Sequence, residues 1–61
     1  MKPSMMVKLQ SEHYKSEGVY AGDTGVVLEL VNGTVKVEFK DTYGYTIATL
    51  MLSEDELELA E

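Results

Sequence analysis

Apolar and polar residues alternate with a period of two along most of this chain. Met5, Val7 and Leu9 oppose Met6, Lys8 and Gln10, and that alternation predicts a half-buried strand. From Thr24 to Val31, Val26, Leu28 and Leu30 share one face, with Val27, Glu29 and Val31 opposite. The glutamate marks the second face as the more exposed. Thr34 to Lys40 is the cleanest case, with Val35, Val37 and Phe39 inward and Thr34, Lys36, Glu38 and Lys40 outward. Tyr45 to Leu52 predicts a fourth strand, in which Ile47, Thr49 and Met51 oppose Ala48, Leu50 and Leu52. Both of its faces are mostly apolar, so the pattern alone does not choose the core side. Leu57-Glu58-Leu59 alternates as a short closing strand.

The connections carry their own signals. Ser11 to Gly18 is polar apart from Tyr14 and reads as an excursion loop. Gly18, Gly22 and Gly25 punctuate the next turn, where they allow a sharp bend and a close backbone approach at a corner. Asn32-Gly33 between two β-branched runs predicts a type I′ hairpin, because both central residues of that turn need positive φ. Asp41-Thr42-Tyr43-Gly44 predicts another turn, with Asp41 capping its own backbone. Ser53-Glu54-Asp55-Glu56 matches a capping box, but too few residues follow for a helix, so a single 3₁₀ turn is expected. Five short strands with one 3₁₀ turn before the last predict an all-β, five-stranded SH3-like barrel. Closure of such a barrel removes exposed sheet edges. One domain spanning residues 1–61 is expected, with residues 1–4 as a flexible N-terminus.

The stretch Gly18-Val19-Tyr20-Ala21-Gly22-Asp23-Thr24-Gly25-Val26-Val27 resembles a KOW motif, the Gly-x-aromatic-x-Gly-x-x-Gly-hydrophobic segment of NusG-type and ribosomal-protein domains. That resemblance implies an SH3-like fold and binding to RNA, ribosomes or RNA polymerase partners. Residues 22–59 are similar to a family of short, uncharacterised bacterial domains. The similarity rests on Gly22-Asp23-Thr24-Gly25-Val26-Val27, Val35-Lys36-Val37-Glu38-Phe39 and the leucine-rich acidic segment from Leu50 to Leu59. It implies the same barrel and a bacterial origin, and no particular activity.

Charge changes the functional picture. Five lysines and no arginine stand against eleven acidic residues, for a net charge of -6. Four of those acids lie between Ser53 and Glu58. An acidic surface repels phosphate backbones, and the side chain best suited to bidentate reading of phosphate and guanine is missing. The KOW expectation of nucleic-acid binding is therefore set against a protein partner of basic character.

The chain has no cysteine, which fits a reducing, cytoplasmic setting and excludes disulfides and thiolate metal sites. No segment reads as a secretory signal or a membrane span. A core this small leaves weak self-association as a further expectation.

Candidate chemistry is sparse. His13 lacks both a nucleophile motif and partner ligands, so no catalytic, cofactor or metal site is expected. The tyrosines admit two readings. In one, Tyr20 belongs to the core and Tyr45 covers the barrel end; in the other, Tyr14 and Tyr43 form a contact patch, since tyrosine supplies rigid area with a hydrogen-bonding tip. Glu54, Asp55 and Glu56 would then steer the partner. The resulting expectation is an intracellular binding module and not an enzyme.

Overall fold

The computed structural model describes residues 2–60. It contains β1 (Met6–Leu9), β2 (Thr24–Val31), β3 (Thr34–Lys40), β4 (Thr46–Ser53) and β5 (Leu57–Leu59). A 3₁₀ turn at Glu54–Glu56 precedes β5 as expected, and a second one, Lys15–Glu17, lies inside the excursion loop. The strands form one antiparallel sheet in the order β4-β3-β2-β1-β5.

The expected barrel closure does not occur. Among the described residues, β4 and β5 are both edges of the sheet and no ladder joins them. The reason lies in the last connection. Three residues of 3₁₀ turn carry the chain from β4 to β5, and β5 has only three residues, each of which pairs with β1. The sheet curls without closing. Val7, Leu9, Val27, Val35, Val37, Phe39, Leu52 and Leu57 are buried in one cluster with Val19 of the long β1–β2 connection. Among the described residues no helix longer than a three-residue 3₁₀ turn is present, so curvature of the sheet, with Val19 of the loop, dries this face. Register shifts between Val27 and Glu29 and between Phe39 and Lys40 supply two of the bends.

The first shift also corrects the face assignment of β2. Val27 pairs with Val37 and Glu29 with Lys36, leaving Leu28 as the extra residue. Before the bulge, Gly25 and Val27 face the core; after it, Leu30 opposes Val35. Val27 is thus buried, whereas Leu28 is 42% exposed. A period of two cannot run through an inserted residue. In β4 the inner face is Ala48, Leu50 and Leu52, which oppose Phe39, Val37 and Val35.

The turns follow their chemistry. Asn32 (φ 50) and Gly33 (φ 81) both take positive φ, as the hairpin requires. Gly25 serves the close approach: a Cβ there would meet Val37 Cγ1 at 2.7 Å, and Glu38 O and Phe39 Cδ1 at 2.9 Å. At the N-terminus, the Ser4 N–H donates to Val27 O at 2.7 Å, tying that segment to the sheet. Of the expected flexible stretch, Met1 lies outside the described residues.

Candidate functional site

Two places gather the polar and aromatic side chains, one at each end of β4. At the start of β4, Asp41 organises the β3–β4 connection. Its Oδ1 accepts the N–H groups of Tyr43 at 2.9 Å and Tyr45 at 3.0 Å. The Asp41 N–H donates to Tyr45 O at 2.9 Å, and the Gly44 N–H donates to Asp41 O at 3.1 Å. Four bonds therefore hold a five-residue loop around one aspartate. Backbone polar groups satisfied internally leave the side chains to face outward: Tyr43 is 85% and Tyr45 74% exposed.

A second turn stands beside it. The Tyr20 N–H donates to Asp23 Oδ2 at 2.9 Å and the Asp23 N–H to Tyr20 O at 3.0 Å. The turn is pinned to the end of β1 by Gly22 N–H to Leu9 O at 2.7 Å and Leu9 N–H to Asp23 O at 2.9 Å. Between the two turns lies an open cleft of about 340 Å³, lined by Gly22, Asp23, Thr24, Phe39, Lys40, Asp41, Thr42 and Ile47. Gly22, at φ 98, has nothing within 4 Å of where a Cβ would stand. Gly18, at φ 84, closes the first 3₁₀ turn and lies against Ile47, whose Cγ2 would be 3.1 Å from an added Cβ. The Lys40 ammonium is 3.7 Å from Glu38, so the lysine at the cleft is matched by an acid.

At the other end of β4, Glu56 collects hydrogen bonds. Its Oε1 accepts from the Ser53 N–H at 3.1 Å and the Ser53 hydroxyl at 3.2 Å, and its Oε2 accepts from the Tyr14 hydroxyl at 2.7 Å. The phenol is the main reason the Glu56 carboxyl is held below its ordinary pKa, with the Ser53 bonds and nearby His13 acting the same way against partial desolvation. The same bond, followed by burial and the carboxylate charge, pushes the Tyr14 phenol above its ordinary value. Glu54 and Asp55 stay exposed.

The sequence-based site residues are therefore divided. Tyr14 and Glu56 are brought together, but as partners of each other. Tyr43 lies before β4 and the acidic turn after it, separated by about 25 Å of strand. Tyr14 is half-buried and bonded to Glu56, while Tyr43 stands exposed in the Asp41 loop. Tyr20 is 52% exposed, while its neighbour Val19 fills the core, and Tyr45 does not cover the sheet end. Asp23, Asp41, Tyr45 and Ile47 are the additions. The capping role of Asp41 was legible in its turn sequence; the approach of the two turns depends on the curl.

Among the described residues, no group of three or more His, Asp or Glu side chains is placed to hold a metal ion. No helix among them is long and apolar enough to cross a membrane. No family model, curated protein or solved structure matches the chain.

Proposed function

We propose that this protein is a small binding module whose partner is another protein, docked at the tyrosine-bearing end of the sheet. One observation carries the reading: a single aspartate, Asp41, fixes the backbone beneath two largely exposed tyrosines at the rim of an open cleft. Exposed tyrosine on a stiff loop supplies contact area at little ordering cost. A partner of basic character fits best. The chain carries -6 overall, Asp23 and Asp41 line the cleft, and its lysine is already paired with Glu38. Glu54 and Asp55 supply long-range attraction, since neither is spent in the Tyr14–Glu56 contact.

The test is capture and identification of a partner with the wild-type protein, followed by titration of that purified partner against Tyr43→Ala/Tyr45→Ala. The reading expects affinity to fall at least about tenfold, as loss of interface aromatic anchors does, with the far-UV spectrum unchanged. Unaltered affinity would remove the tyrosine end from the interface. Tight binding of single-stranded RNA at about 50 mM salt that weakens steeply as salt is added would replace the protein-partner reading with a nucleic-acid one.

A further inference from the structure

The two edges of the sheet are treated differently. β5 is three residues long, carries Glu58 and follows Glu54, Asp55 and Glu56. Shortness and charge are the usual means by which an edge is kept from pairing with another strand. β4 has neither. It is eight residues long, and every residue from Thr42 to Ser53 is uncharged, the longest such run in the chain. It contains no proline, and Met51 is 54% and Ile47 40% exposed. Among the described residues, Thr46 to Leu52 make no backbone hydrogen bond outside the ladder with β3. Past the bulged Ile47, which lies against Gly18, Ala48 to Leu52 leave a row of unpaired donors and acceptors roughly 15 Å long open.

We infer that this edge is a self-association site, in which β4 of one copy pairs antiparallel with β4 of a second copy and joins two sheets into one. Charge selects the occupant. Among the described residues, the only acid on the strand beside β4 is Glu38, which is 3.7 Å from the Lys40 ammonium and is flanked by Lys36. A basic segment therefore finds no net negative charge there, whereas two chains of -6 can approach closely only where the local charge is not acidic. An antiparallel pair related by a two-fold axis is self-complementary, so one surface supplies both halves of the ladder. Pairing near the middle of the strand brings the exposed Thr49 and Met51 side chains of the copies onto one shared face and covers part of the apolar edge. This site is separate from the tyrosine end and does not depend on the partner reading.

Sedimentation equilibrium from about 10 μM to about 1 mM, a span that resolves weak dimers, tests it. The expected result is a reversible dimer whose fraction rises with added salt, because salt screens the repulsion between like-charged copies. Met51→Lys, an exposed change on the outer face opposite Lys36, should weaken the dimer at least about tenfold by setting like charges near the axis, with thermal stability retained; Thr49→Lys, opposite Glu38, is the second variant. Because the chain has no cysteine, Thr49→Cys should form a covalent dimer with a short bis-maleimide, and Lys8→Cys, on β1 with β2 and β3 between it and β4, should not. A monomer throughout the range, a dimer that both lysine variants leave intact, or equal cross-linking at Lys8→Cys would each overturn the inference. Loss of dimerisation with partner affinity at Tyr43 and Tyr45 unchanged would support it while leaving the docking surface standing.

Discussion

The Tyr14 hydroxyl donates to Glu56 Oε2 at 2.7 Å across 42 positions of sequence. This contact fastens the excursion loop to the turn between β4 and β5, the connection that sets how far the sheet curls. It also converts two residues that look available for a partner into a structural clasp. Its bond to a carboxylate makes it stronger than a neutral one, although its exposure to solvent screens much of that advantage.

Tyr14→Phe removes the donor and leaves Glu56 with its Ser53 bonds. A stability loss of about 0.5–1 kcal/mol is expected, read as a fall in Tm of roughly 2–8 °C for a domain of this size. Differential scanning calorimetry measures it directly.

The same contact sets a pH dependence with two arms. Glu56 has its folded pKa lowered, so its contribution is present above the unfolded carboxyl value and is lost as pH falls through the folded one. Tyr14 has its folded pKa raised, so its contribution is present below the unfolded phenol value and is lost as pH rises through the folded one. Tm measured against pH should therefore decline at both extremes, and Tyr14→Phe should flatten both declines. Ultraviolet titration of the wild type should show a late-ionising phenol that is lost in Tyr14→Phe; its persistence in the variant would assign the shift elsewhere.

Gly25 faces Phe39 across β2 and β3 with no room for a side chain. Gly25→Ala is expected to destabilise by about 1–3 kcal/mol through overpacking, whereas Gly22→Ala meets open space and carries only the backbone strain of its φ of 98, about 1 kcal/mol. Denaturant unfolding of the two variants separates packing from backbone conformation.

The bulge makes neighbouring apolar residues unequal. Leu28→Ser should change stability by no more than about 1 kcal/mol, and Val27→Ser should cost about 2–4 kcal/mol through a cavity and a buried hydroxyl. Equal effects in urea unfolding would mean that the extra residue lies elsewhere.

Asp41→Ala frees the Tyr43 and Tyr45 N–H groups and should accelerate their amide hydrogen exchange by about tenfold or more. Asp41→Asn keeps a side-chain acceptor and should restore most of the protection. Partner affinity is expected to follow the same order, because a loosened loop must be ordered again on binding.

Local chemistry determined much of this protein. Asn32 and Gly33 adopt the positive φ that an I′ hairpin demands, Val35, Val37 and Phe39 point inward as their alternation requires, and the Ser53–Glu56 pair forms its capping box. Each is decided by residues adjacent in the chain. Tertiary structure decided the rest. The extra residue at Leu28 is defined only by its partner strand, so the pattern of β2 could not reveal which valine faces the core. Which face of β4 turns inward was settled by β3, since both faces are apolar in sequence. Whether the sheet closes depends on β5 pairing on two sides, and its three residues pair only with β1. The fate of the tyrosines followed from the same geometry: Tyr14 meets Glu56 because the sheet curls, and Tyr43 and Tyr45 stay outside because Asp41 holds their backbone in place.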